Sequence, residues 1–75
     1  KPFLTIDGDG RVYLTDPEGY QVIAFTKTGE PLLAIGQYGA EEDAFGLPTG
    51  IAVNQDGTLW VSDTGNNRLI KVRLW

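Results

Sequence analysis

Residues 45–72 read FGLPTGIAVNQDGTLWVSDTGNNRLIKV, and this stretch decides the fold of the chain. It contains three short apolar runs that predict β-strands, at residues 50–53, 59–61 and 69–72. Asp56-Gly57 lies between the first two runs and favours a tight two-residue hairpin, because both central residues of that turn need positive φ. Residues 63–67 predict a second turn, since Asn and Gly tolerate left-handed backbone. The stretch therefore predicts a three-stranded antiparallel meander.

The preceding part of the chain repeats this pattern at a constant spacing. Asp9-Gly10 lies 47 residues before Asp56-Gly57 (56 − 9 = 47). The same spacing, with no gap, relates these further pairs: Leu4 and Ile51, Ile6 and Val53, Tyr13 and Trp60, Asp16 and Asp63, and residues 22–23 and 69–70. Because strand spacing and turn residues match together, the two segments are structural repeats rather than two unrelated hairpins.

The strands of the two repeats indicate stacked sheets. Four are predicted in the first repeat, at residues 3–6, 11–15, 21–25 and 31–35, and three in the second. Adjacent apolar residues such as Leu69 and Ile70 are typical of sheets covered on both faces, and repeated sheets of this kind form a β-propeller. The predicted fold class is all-β, with seven strands in antiparallel four-stranded meander blades of a β-propeller, the second blade lacking its outer strand. The predicted boundaries are a first blade at 1–35, a connector loop at 36–47 and a second, incomplete blade at 48–75.

The second repeat resembles the NHL repeat family along the segment GLPTGIAVNQDGTLWVSDTGNNRLIKV. The positions that carry the resemblance are Phe45, Pro48, Gly50, Asp56, Gly57, Asp63, Gly65, Asn66 and Arg68. The first repeat, residues 2–35, is a weaker match, because it keeps Asp16 but reads EGYQ at 18–21 where the second repeat reads GNNR at 65–68. The resemblance implies a six-bladed propeller, of which these two repeats would supply just under two blades.

Composition excludes several classes of function. The formal net charge of −4 argues against nucleic acid and against an anionic membrane surface, because both are bound through basic patches. The chain contains no His and no Cys, which excludes Ser-His-Asp and Cys-His catalytic sets and the usual zinc sites. Ser62 is the only serine and has no base to activate it. We therefore expect a protein that is not an enzyme and that uses no cofactor and no metal.

Four polar residues at the turns between the second and third strands of the repeats are predicted to be structural: Asp16, Asp63, Asn66 and Arg68. We expect Asp63 to accept hydrogen bonds from the amides of its turn, as Asx turns do, while Arg68 pairs with it across the turn. Asp16 has the same predicted role, with Gln21 at the position of Arg68. The alternative is a polar ligand site at this turn.

An acidic run in the connector suggests a ligand-binding rim. In a propeller meander, the connectors and the turns between second and third strands emerge on one face, so we expect these segments to lie close together. The predicted rim comprises Glu18, Tyr20, Glu41, Glu42, Asp43 and Asn67. It would bind a cation or a basic partner, and the alternative is a solvated loop, which is the commoner role of a charge run.

Asp7 and Asn54 end the innermost predicted strands of the two repeats. Six-bladed enzymes of the gluconolactonase and paraoxonase type hold calcium in the central channel with Asp, Asn and Glu, and oxygen ligands suit Ca²⁺. Strand-end Asp and Asn before an Asp-Gly turn also serve the turn itself. A fragment of a calcium-dependent six-bladed hydrolase or lactonase therefore remains the alternative function.

Two repeats cannot cover all the apolar faces of their own sheets. The residues predicted to line exposed sheet faces or a blade or oligomer interface are Leu4, Ile6, Tyr13, Val22, Leu59, Trp60, Val61, Leu69 and Val72. Exposed apolar patches of this extent mark interaction sites, and residues 69–72 would also form an unpaired sheet edge. The expected function is a non-enzymatic module, a scaffold for protein interaction or self-assembly. Its partners would be two further copies that close a six-bladed homotrimeric ring, the remaining blades of a longer chain, or another protein.

Overall fold

The computed structural model describes residues 2–37, 39 and 45–73, which form two antiparallel β-sheets. The first sheet has the strand order β1-β2-β3-β4, with β1 at Leu4–Ile6, β2 at Val12–Asp16, β3 at Gln21–Phe25 and β4 at Pro31–Ile35. The second has the order β5-β6-β7, with β5 at Pro48–Val53, β6 at Thr58–Asp63 and β7 at Arg68–Arg73. A 3₁₀ turn at Thr64–Asn66 is the only helical element in the described ranges, and no helix there could cross a membrane. The predicted all-β class is confirmed, with two meanders of the propeller-blade kind.

The Asp-Gly turn between β5 and β6 differs from the predicted two-residue hairpin. The Asn54 amide donates to the Thr58 carbonyl (2.8 Å) and the Gly57 amide donates to the Asn54 carbonyl (3.0 Å), which closes a loop of residues 55–57. Only Gly57 has positive φ in this loop, at +87°, and the Asp56 carboxylate accepts the Thr58 amide (3.0 Å). This geometry is a type I turn followed by a left-handed glycine. Asp56 accepts a backbone amide within the loop and needs no positive φ of its own.

The strand registers of the two sheets are equivalent at the 47-residue spacing. Tyr13 of β2 pairs with Thr5 of β1, and Trp60 of β6 pairs with Ala52 of β5 (60 − 13 = 52 − 5 = 47). The pairs between the second and third strands follow the same rule. Residues 47 apart are called counterparts below, and counterparts lie on the same side of their respective sheets.

The hydrophobic core lies between the two sheets. Its buried members, each at most 1 % exposed, are Tyr13, Val22 and Ala24 of the first sheet, Leu59 and Val61 of the second, and Phe45 of the connector. Successive strand residues point to opposite faces of a sheet. Each sheet therefore buries one face against the other sheet and turns its second face outward.

Four residues predicted on exposed faces lie in this core instead: Tyr13, Val22, Leu59 and Val61. They do not line an exposed face but form the interface between the two blades, the other role predicted for them, because they occupy the two faces that the sheets turn toward each other. The other members differ among themselves: Leu4, Ile6 and Leu69 are exposed, as predicted, whereas Val72 is partly buried against the core.

Candidate functional site

The packed contact between the two sheets, called the junction below, joins one blade to the next. Its centre is formed by Tyr13 and Val22 of the first sheet and by Leu59 and Val61 of the second, all fully buried. Partly buried residues surround this centre: Leu33, Ile35, Ile51, Val53, Ile70 and Val72. Burial of apolar surface is the main source of stability at such a contact, at about 25 cal/mol per Å².

A polar contact fixes the alignment of the two sheets at the junction. Thr15 of β2 is fully buried, and its hydroxyl donates to the Thr49 carbonyl of β5 over 2.9 Å. The same hydroxyl oxygen accepts the Phe3 amide (2.9 Å). A buried hydroxyl that lost its partner would cost about 1–3 kcal/mol, so this bond favours one alignment over displaced ones.

The outward side of the first sheet, called the first open face, is apolar. Leu4 and Ile6 of β1 are 59 % and 56 % exposed. The cross-strand pairs place further apolar residues beside them, namely Val12, Leu14, Ile23 and Phe25, which are half-buried. Apolar side chains therefore line this outward side across β1, β2 and β3.

The outward side of the second sheet, called the second open face, is mixed in character. Trp60 is 40 % and Leu69 is 69 % exposed. Strand pairing places Ala52, Ser62 and Lys71 on the same side. The Lys71 Nζ lies 5.6 Å from the centre of the Trp60 ring, within range of a cation–π contact. The predicted interface residues Tyr13 and Trp60 are thus counterparts with different surroundings, one inside the junction and one on an open face.

The Asp63 carboxylate is fully buried and holds together two separate segments of the chain. It accepts the amides of Gly46 (3.0 Å) and Leu47 (2.9 Å), the Asn66 side-chain amide (2.8 Å) and the Arg68 Nε (3.3 Å). Burial alone would raise the pKa of Asp63, but the hydrogen bonds from Leu47, Asn66, Gly46 and Arg68 outweigh it and lower that pKa.

The backbone donors to Asp63 differ from those predicted. They lie in the connector, 17 and 16 residues earlier in the chain, rather than in the turn that follows Asp63. The close approach needs Gly65, since a Cβ there would lie 2.6 Å from backbone atoms of Gly46 and Leu47. The Asp63 cluster therefore joins the connector to the turn between β6 and β7.

Comparison with known families identifies the segment that contains this cluster. Residues 45–71 match the family model of the NHL repeat. This segment is called the NHL repeat below, after the family that it matches. The repeat contains Asp63 together with the donors Gly46, Leu47, Asn66 and Arg68, and it also contains Trp60 of the second open face.

The first sheet contains a simpler version of the NHL-repeat cluster. Asp16 is the counterpart of Asp63, and its carboxylate accepts the Gly19 amide (3.2 Å) and the Gln21 side-chain amide (3.0 Å). Gly19 lies in the β2–β3 turn, and Gln21 is the first residue of β3. Asp16 therefore stabilises a local turn, whereas Asp63 of the NHL repeat also binds a distant segment.

The described members of the predicted rim lie on two turns. Glu18 and Tyr20 are on the β2–β3 turn, and Asn67 is on the turn of the NHL repeat between β6 and β7. Tyr20 and Asn67 both have positive φ, at 57° and 53°. Glu41, Glu42 and Asp43 lie outside the described residues. Among the residues that are described, no group of three or more acidic, His or Cys side chains is placed to hold a metal ion.

Asp7 and Asn54, the candidate calcium ligands of the alternative function, line an open groove of about 600 Å³ between the β1–β2 turn and the corresponding turn of the NHL repeat. The Asp7 carboxylate accepts Arg11 Nε (2.8 Å), the Tyr13 hydroxyl (2.7 Å) and the amides of Asp9 and Arg11. Burial opposes ionisation, but the bonds from Arg11 and Tyr13 prevail and lower the pKa of Asp7 to about 2. Asn54 donates its side-chain amide to the Thr58 hydroxyl (2.8 Å). Both side chains are thus engaged in stabilising their own turns.

Sequence reasoning missed several residues of the two open faces. They are Val12, Leu14, Ile23 and Phe25 on the first and Ser62 and Lys71 on the second. The alternation of side chains along a strand could have identified them. Once Tyr13 is assigned to one side of β2, its neighbours in sequence must lie on the other side.

Proposed function

We propose that this chain is a non-enzymatic assembly module whose two open faces bind further propeller blades. The observation that carries the proposal is the pair of exposed faces on either side of a well-packed junction. Leu4 and Ile6 on one side and Leu69 on the other are more than half exposed. Covering such side chains gains hydrophobic free energy, which is the main driving force of protein association.

Two kinds of blade would cover these open faces. Further copies of this chain would bind head to tail, and three chains of two blades would close a six-bladed ring with cyclic symmetry. In a longer chain, the neighbouring blades would occupy the same faces. Binding of an unrelated protein partner is the third form of the proposal, and it also requires the open faces.

Light scattering on the purified 75-residue chain tests the proposal directly. The expected mass at high concentration is three times that of one chain, and it should fall on dilution, because association follows mass action. A chain that stays monomeric and cooperatively folded at every concentration would contradict self-assembly.

The calcium-dependent hydrolase or lactonase has less support. The groove between the β1–β2 and β5–β6 turns favours it, but Asp7 already pairs there with Arg11. Thermal unfolding with and without Ca²⁺ separates the two functions. We expect no shift for an assembly module, whereas an increase of several degrees that a chelator reverses would favour the enzyme, since a bound ion stabilises the folded state.

A further inference from the structure

We infer that copies of this chain dock in one direction only, with the second open face of one copy on the first open face of the next, in the alignment of the junction. The inference rests on the proposed assembly function and adds the direction and the contacts. It follows because each open face is the counterpart, at the 47-residue spacing, of one buried half of the junction.

The second open face is the counterpart of the first-sheet half of the junction. Trp60, Ser62 and Leu69 lie 47 residues after Tyr13, Thr15 and Val22 (60 − 13 = 62 − 15 = 69 − 22 = 47). At each of these positions the chemical character is kept, aromatic for aromatic, hydroxyl for hydroxyl and aliphatic for aliphatic. The second open face therefore repeats a surface that already binds the other half of the junction within the chain.

The first open face is the counterpart of the second-sheet half. Val12 and Leu14 lie 47 residues before Leu59 and Val61 (59 − 12 = 61 − 14 = 47). Beside them, Leu4 and Ile6 correspond in the same way to Ile51 and Val53. All eight side chains are aliphatic. Since the junction joins two unlike halves, an open face should bind its unlike partner on the next copy rather than a face like itself.

A polar contact extends the correspondence. Within the chain, the Thr15 hydroxyl donates to the Thr49 carbonyl. The counterparts are Ser62 and Pro2 (62 − 15 = 49 − 2 = 47). Ser62 belongs to the second open face and Pro2 precedes β1 at the edge of the first, where it is exposed. The Ser62 hydroxyl of one copy thus donates to the Pro2 carbonyl of the next.

A complementation experiment tests the direction. Trp60→Glu disables the second open face and Leu4→Glu disables the first, and both substitutions are at side chains exposed in the single chain, so the fold should persist. Each variant alone should remain monomeric by sedimentation velocity. Their equimolar mixture should form a one-to-one dimer, because it retains one intact pair of unlike faces. Leu69→Glu and Ile6→Glu provide a second pair if circular dichroism shows that one of the first variants is unfolded.

The results of this experiment distinguish a failure of the inferred direction from a failure of the proposed assembly. A monomeric wild-type chain would overturn both the inferred direction and the self-assembly form of the proposed function. An assembling wild-type chain would overturn the direction alone if either variant still dimerises by itself, or if the mixture stays monomeric. Ser62→Ala should weaken wild-type association about three- to tenfold, and Ser62→Thr should restore it. Equal affinities for the Ala and Thr variants would contradict the contact with Pro2.

Discussion

At the scale of single residues, Asp63 is a buried carboxylate whose burial depends on its hydrogen bonds. It accepts hydrogen bonds from Gly46, Leu47, Asn66 and Arg68 while fully buried. Asp63→Asn should lower the free energy of unfolding by about 3 kcal/mol, because an amide nitrogen replaces a charged acceptor among donors. Urea denaturation measures this change.

The control for Asp63 is its counterpart. Asp16→Asn makes the same chemical change at a half-buried carboxylate that accepts hydrogen bonds from Gly19 and Gln21, both nearby in sequence. We expect a loss of about 1 kcal/mol or less, since water can replace these partners. Equal losses for the two variants would show that the connector contacts of Asp63 contribute little.

A second prediction at this scale concerns pH. The Asp7 pKa is about 2 in the folded chain, against an ordinary value of 3.8. Because the folded pKa is the lower of the two, ionised Asp7 stabilises the fold fully above pH 3.8, and this contribution is lost as the pH falls toward 2. The free energy of unfolding should decrease over that window and decrease less in Asp7→Asn. Wild-type and variant curves of the same shape would contradict this role.

At the scale of elements, the contact between the connector and the β6–β7 turn depends on Gly65. A Cβ at this position would lie 2.6 Å from the Gly46 carbonyl carbon and the Leu47 nitrogen. Gly65→Ala should therefore displace the connector and lower the thermal unfolding temperature by several degrees. Gly8→Ala is the matched control, since a Cβ there meets nothing within 4 Å. A Gly65→Ala chain as stable as the control would place the close approach in doubt.

The strands could be predicted from the sequence, but the contacts between them and other elements could be predicted only in part. The strands and the 47-residue register could be predicted because apolar runs and Asp-Gly turns are local signals. The difference between buried Tyr13 and exposed Trp60 could not, because these counterparts differ only in which sheet stands beside them. The bonds from Gly46 and Leu47 to Asp63 were missed for a similar reason, since they join segments that are distant along the chain.

At the scale of the whole molecule, we expect Lys71 to limit the strength of the proposed association between copies. Its counterpart is Ala24, which is fully buried in the junction (71 − 24 = 47). Docking would bring the Lys71 ammonium close to an apolar surface, at a cost in desolvation. Lys71→Ala should tighten association by about tenfold, or about 1.4 kcal/mol, in sedimentation equilibrium. Lys27→Ala removes the same charge from the exposed β3–β4 turn and should leave the affinity unchanged.

The strand β7 is one of the two edge strands of the second sheet within the described residues, the other being β5, and its charges bear on fibril growth. Arg68, Lys71 and Arg73 are three of the six cationic residues of a chain whose net charge is −4. If two such edges paired in antiparallel fashion, cations would face cations across the new ladder, which opposes stacking of strands into aggregates. Half of the positive charge of the chain thus lies along this one strand and opposes its pairing with a second copy of itself, so the same molecule could dock through apolar faces, as proposed, without its β7 edge promoting disordered growth.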